Sequence, residues 1–282
     1  MGVEPLSPAK IGLHARDVGI TKTRLSPRKS FVLAILAGAF IAFAAEGSNM
    51  AAFNLFADPN TYGLGRFVAG LVFPTGLMLV VVAGGELFTG NVLLSFAVFH
   101  KRIRLRTMFK NWGIVYLGNF VGALGIAYMV TESGQFNSGA NTLGGVSISI
   151  AYAKISLPFM SALYLGIMCN WLVCLAVWIS YGAQSTMGKL LGIFFPIWLF
   201  ITSGFEHSIA NIYYVPAGIM AKVNPQWAAA SGLSAEALEQ LTYGAFFMNN
   251  LLPVTLGNII GGMIFVALAY WYVYLRPGPG EQ

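Results

Sequence analysis

The chain has 282 residues and a formal net charge of +6, and 57% of it is hydrophobic against 9% charged. That composition, with a mean hydropathy of +0.70, excludes an ordinary soluble domain and marks an integral membrane protein. The apolar stretches are long and continuous rather than alternating segments of strand length, which excludes an outer-membrane barrel and points to a helical bundle.

Residues 1–27 form a polar, basic segment without a small-residue cleavage site, so it is expected to stay in the mature protein. Leu13, Val18 and Ile20 among its polar residues predict an amphipathic stretch at the cytoplasmic mouth, with a topogenic signal as the open alternative. Six spans follow, at Phe31 to Phe56, Phe67 to Phe99, Phe109 to Val130, Leu157 to Tyr181, Leu190 to Ala221 and Tyr243 to Leu275. Residues 28–276 are read as one channel domain with repeats at about 28–133 and 154–276, and 277–282 as a tail.

Lys10, Arg16, Lys22, Arg24, Arg28 and Lys29 precede the first span, and Lys101, Arg102, Arg104, Arg106 and Lys110 separate the second from the third. Both segments, with Lys189 and Arg276, are assigned to the cytoplasm by the positive-inside rule, leaving Arg66, Lys154 and Lys222 opposite. The basicity is therefore topological. It flanks apolar spans and makes no patch interleaved with aromatics, so no nucleic-acid partner is expected. Cys169 and Cys174 lie on different faces of one span and are expected to pack rather than pair.

The second span holds 33 residues, too many for one straight crossing of a core about 30 Å thick at about 1.5 Å per residue. Ala83-Gly84-Gly85-Glu86-Leu87-Phe88-Thr89-Gly90-Asn91 supplies an interruption, and Thr202-Ser203-Gly204-Phe205-Glu206-His207-Ser208 supplies another in the fifth span, where Pro196 and Pro216 add kinks. Backbone freed at such breaks has to face protein or a polar pathway. The glycines alone could equally serve close helix packing. Ionisable Glu86, Glu206 and His207 inside the breaks favour function, since charge at mid-membrane is costly. His207 in isolation is open to a structural or a functional reading.

The two halves also repeat. Asn111 to Gly122 and Asn250 to Gly261 both read N-x5-L-G-N-x2-G, and Glu86-x4-Asn91 matches Glu206-x4-Asn211. Three spans per half, an odd number, invert the second copy relative to the first and predict an inverted-repeat transport protein with its site at the breaks.

Glu86-Leu87-Phe88-Thr89, Asn111-Trp112, Gly166-Ile167-Met168-Cys169-Asn170, Gly204-Phe205-Glu206-His207-Ser208-Ile209-Ala210-Asn211 and Asn250-Leu251-Leu252-Pro253-Val254-Thr255-Leu256-Gly257-Asn258 resemble the formate/nitrite transporter family over about residues 28–276. The resemblance implies an all-α, aquaporin-like protomer of six helices in two inverted three-helix repeats, spans two and five broken, assembled as a homopentamer in the inner membrane with both termini cytoplasmic. It implies one pore per protomer for small monovalent anions such as formate, nitrite, hydrosulfide or lactate, with formate favoured and proton coupling through a central histidine as a further possibility. By the same resemblance Phe73, Leu77, Leu87 and Phe200 are constrictions, Thr89 the loop threonine, His207 the central histidine and Glu206 a structural acid holding it. Lys154 is the lysine that draws anions, and Asn170 a vestibular asparagine beside it. Glu86 stands where the formate channels often have Asp.

Two other function classes compete. A neutral-solute pore would suit an aquaporin-like fold, though the paired Asn-Pro-Ala signature is absent and Lys154 and His207 favour anions. An enzyme using Glu206 and His207 as acid and base lacks a nucleophile motif, metal-ligand spacing or cofactor fingerprint, so no catalytic residue, metal or cofactor is expected.

Overall fold

Ser7-Pro8 and Ser26-Pro27 open the first two helices, because proline at the first helical position lacks only an N–H that would go unpaired there. The computed structural model describes residues 4–276, and every regular element among them is helical. Helix α1 (Pro8–Arg24) buries Ile11, Gly12, Ala15 and Gly19, one face at helical spacing. That face lies against Leu94 and Ala97 at Gly19 and against Trp178 and Leu275 at Gly12. The amphipathic stretch is therefore a docked helix, but Leu13 points away from its buried face and is exposed.

The long apolar helices follow: α2 (Pro27–Phe56), α3 (Pro59–Gly84), α4 (Phe88–Phe99) and α5 (Leu105–Glu132) make the first half. In the second half are α6 (Thr142–Ile155), α7 (Phe159–Gly182), α8 (Thr186–Thr202) and α9 (Ser208–Ala221). The short α10 (Pro225–Ala230) and α11 (Ala235–Gln240) lead to α12 (Tyr243–Tyr274). Five helices, α2, α3, α5, α7 and α12, are individually long and apolar enough to cross a membrane. The broken pair α8–α9 takes the place in the second half that α3–α4 takes in the first.

Helix α6 has no counterpart among the predicted spans. Its 14 residues are too few to cross a bilayer core, and its glycines and serines read as a connecting loop. Its packing explains them: a Cβ at Gly145 would run into the backbone of Ala230, and one at Gly144 into Trp227.

Each half is zipped by glycine. A side chain at Gly38, Gly118 or Gly122 would overlap backbone of the facing helix in the α2–α5 pair, and one at Gly257 or Gly261 would do so in the α7–α12 pair. Between membrane helices there is little hydrophobic drive to associate, so van der Waals approach of the backbones supplies the adhesion. The pairs α2–α5 and α7–α12 thus form equivalent scaffolds, one per repeat, and each holds one broken helix.

Candidate functional site

Both breaks are built by the same local chemistry. Helix α3 widens in its last turn and ends at Gly84, with φ +98°, and α8 is followed by Gly204 at φ +75°. Those left-handed conformations suit glycine. Four residues later the chain re-enters a helix, at Phe88 and at Ser208.

An asparagine from the scaffold then pins each break. Asn119 on α5 donates to the carbonyls of Ala34 (2.7 Å) and Glu86 (2.8 Å) and accepts from Phe88 N–H (2.9 Å). Asn258 on α12 donates to Gly166 (2.8 Å) and Glu206 (3.0 Å) and accepts from Ser208 N–H (2.9 Å). The same three bonds occur in both halves. They satisfy backbone that has no water to turn to, and they occupy the first amide of α4, at Phe88, and of α9, at Ser208.

The acids complete a second matched set. Asn91 Nδ2 bridges Glu86 Oε2 (2.6 Å) and Asn111 Oδ1 (2.9 Å), and Asn211 Nδ2 bridges Glu206 Oε2 (2.6 Å) and Asn250 Oδ1 (2.7 Å). Each carboxylate also holds a lysine, Lys22 on α1 at 3.2 Å from Glu86 and Lys154 on α6 at 2.7 Å from Glu206. Helix α1 is thus the counterpart of α6. Lys22 is the functional candidate that sequence reasoning missed, and the signal was present: it stands twelve residues before Ala34, as Lys154 stands twelve before Gly166.

His207 is not held by Glu206. Its Nδ1 accepts Ala210 N–H at 3.1 Å, capping α9, and its Nε2 meets Thr89 Oγ1 at 3.0 Å. A backbone N–H only donates, so Nδ1 carries no proton and the neutral ring has its hydrogen on Nε2. Nε2–H then donates to Thr89, whose own hydroxyl hydrogen has no acceptor among the described residues.

The remaining predicted residues fall around this pair. Asn170 is not beside Lys154; it is fully buried and donates to the Thr89 carbonyl (3.2 Å) and the Asn258 carbonyl (2.7 Å), fixing the loop from behind. Phe73 meets Phe200 edge-on at 5.6 Å between centroids, and Phe200 lies over the His207 ring at 6.0 Å. Leu77 and Leu87 are buried on the other side.

Two cavities approach from opposite faces and share no lining residue. One, of about 60 Å³, is bounded by Arg66, Lys154, Phe200, Glu206 and His207. The other, of about 310 Å³, is bounded by Lys22, Leu77, Val80, Glu86 and Leu87. Arg66 donates to the Ile201 carbonyl near the end of α8 and has no carboxylate partner among the described residues. A further buried carboxyl, Glu46 on α2, accepts from the Tyr213 hydroxyl and lines neither cavity. Cys169 and Cys174 are free and buried. No group of three His, Cys, Asp or Glu side chains among the described residues is placed to hold a metal.

The family model described as Formate/nitrite transporter matches residues 9–272. The chain belongs to that family. The formate channel FocA of Escherichia coli K12 is 40% identical over 277 residues, covering 96% of this chain and 95% of the relative. A probable formate transporter of Methanothermobacter thermautotrophicus is 39% identical over 291 residues, covering 98% and 100%. Among solved structures, one described as a pentameric formate channel with formate bound superposes with a TM-score of 0.79 at 37% identity, covering 89% of this chain and 98% of that one. An ion channel of the family superposes at 0.80 with 29% identity, covering 93% and 98%. This member of the formate/nitrite transporter family is thus a membrane protein of the same helical fold.

Proposed function

We propose that the protein conducts small monovalent anions, formate first among them, through one pore in each protomer of a homopentamer. The observation that carries this reading is the buried Thr89–His207 contact, with the Phe200 ring over His207 and against Phe73, and with Leu77 and Leu87 lining the other cavity; we take these two apolar pairs as the constrictions. An anion crossing apolar rings loses its water, and desolvation is the main barrier. The free Thr89 hydroxyl hydrogen is the donor that replaces that water, and the His207 Nε2–H, which Thr89 accepts, orients that hydroxyl. Lys154 and Arg66 line the approach on one side and Lys22 on the other. The pentamer and the substrate are extended from the neighbour described as a pentameric formate channel with formate bound.

In this reading the chain crosses six times, with α3–α4 and α8–α9 each counted as one, α1 and the end of α12 share one side, and the lysine and arginine distribution supports taking that side as the cytoplasm and the membrane as an inner one. Proton coupling through His207 has a defined cost in this geometry. The neutral ring can hand the Nε2 proton to an anion only after it has taken another at Nδ1, since releasing it first would leave an imidazolate, and protonation at Nδ1 breaks the Ala210 cap. Passive anion passage requires no such break and is the simpler mechanism.

Purified protein in liposomes, assayed for formate, nitrite, hydrosulfide and glycerol flux at two pH values beside His207→Asn, tests this. Anion-selective flux altered by the substitution is expected. Glycerol flux alone, indifferent to His207, would replace the anion channel with a neutral-solute pore. Proton uptake that vanishes in His207→Asn while anion currents persist would establish the coupled mechanism.

A further inference from the structure

A third cavity lies beside the one bounded by Leu77 and Leu87 and shares Lys22 with it, where the end of α1 meets the first turns of α2 and α5. It measures about 290 Å³ and its walls include Lys22, Thr23, Ser30, Arg106, Thr107 and Lys110, with no acidic residue among those that line it. Arg106 and Lys110 stand one turn apart on the same face of α5 and make no ion pair among the described residues. Helix α5 has no side-chain cap, whereas the Ser26 hydroxyl caps α2 at Lys29 N–H, and both helices begin at this cavity with their positive dipole ends. Phe109 and Leu117, further along α5, are exposed and apolar, which puts the cavity at the level where the helix leaves the hydrocarbon.

We propose that this cavity binds a phosphate group, and that its source is the headgroup of an acidic phospholipid. A cluster of cations and hydroxyls at two helix N-termini matches a tetrahedral anion with several acceptor oxygens. Basic pockets between membrane helices at the membrane surface are suited to lipid phosphates, which arrive already concentrated there. The volume exceeds what a formate-sized anion fills and leaves room for the groups that flank a phosphodiester. Lys22 links the site to the pore: it lines this cavity as well as the Leu77–Leu87 cavity, while its Nζ holds Asn91 Oδ1 at 2.7 Å. A phosphate in the cavity competes with Glu86 for that ammonium. The inference depends on the chain lying in a membrane and not on which solute the pore carries.

The test uses the full-length protein in phosphatidylcholine nanodiscs containing a small fraction of phosphatidylglycerol, with retained lipid read by mass spectrometry after transfer to neutral detergent. The wild type is expected to retain phosphatidylglycerol about 10-fold or more above Arg106→Gln/Lys110→Gln, since each basic residue contributes about one kcal/mol to such attraction. Arg28→Gln/Lys29→Gln removes the same charge from exposed positions outside the cavity and is expected to retain lipid like the wild type. Equal loss in both double variants would reduce the effect to general surface charge and overturn the site. Displacement of the lipid by millimolar inorganic phosphate would overturn the lipid source and assign the cavity to a soluble phosphate. No preference of the wild type for phosphatidylglycerol, with no binding of inorganic phosphate, would overturn the proposal whole.

Discussion

Removing Lys154 leaves the Glu206 carboxylate inside the membrane without its counter-ion. The pair is close, 2.7 Å between Nζ and Oε1, and the two side chains are only 15% and 7% exposed. Glu206 keeps two amide donors, Asn211 at 2.6 Å and Asn250 at 3.2 Å. Breaking a buried pair from one side costs about 3–5 kcal/mol, and the surviving amides put Lys154→Met at the lower end, about 3 kcal/mol. Glu206→Gln leaves an ammonium that still reaches the cavity and lies 5.2 Å over the Tyr214 ring, so its cost is smaller, about 1–2 kcal/mol. The double variant strands no charge, and a coupling of about 2 kcal/mol or more is expected from the cycle. SDS titration of the purified protein, followed by tryptophan fluorescence, supplies the four stabilities. A coupling below about 0.5 kcal/mol, with Lys154→Met costing under about 1 kcal/mol, would show Lys154 to be a solvated surface lysine and refute its part in closing the break. Flux then separates two roles of the same residue. The double variant recovers stability, yet anion flux at low substrate stays depressed because the cation is gone.

Asn258→Ala and Asn119→Ala each delete three bonds to buried backbone and are expected to cost about 3–4 kcal/mol in the same titration, whereas His207→Asn, which keeps a polar side chain at the cap and loses the Thr89 contact, costs about 1 kcal/mol. Gly122→Leu and Gly261→Leu force backbone apart inside the two scaffold pairs and are expected to abolish monodisperse protein in size-exclusion chromatography, while Gly113→Leu, with open space around it, is expected to behave as wild type. Arg66→Gln is expected to lower formate flux several-fold without changing glycerol permeability, because Arg66 is the cation of its cavity that no carboxylate neutralises.

The breaks were legible because glycine, glutamate and asparagine have no cheap place in an apolar span unless something local needs them. The repeat N-x5-L-G-N-x2-G was legible too, and its meaning follows from helical spacing. Asn111 and Asn119, eight apart, share a face, so one reaches Asn91 while the other reaches the break. Lys22 was read only as topogenic charge, since its partner Glu86 lies 64 residues away and the basic composition of α1 resembles a tail. Pairing Glu206 with His207 failed for a geometric reason. The backbone at His207 is extended, φ −110° and ψ 115°, and consecutive side chains of extended backbone point to opposite sides. Adjacency in sequence there separates the two groups, sending the acid to Lys154 and the imidazole to Thr89.

Leu87 and His207 occupy equivalent positions, each preceding the helix that follows its break. Two identical unfused copies would have to carry the same residue at both places, giving a passage with two leucines or two imidazoles. Two copies within one polypeptide are free of that constraint, and the twin positions differ. The repeat therefore presents one imidazole and one leucine at its twin positions rather than two of either.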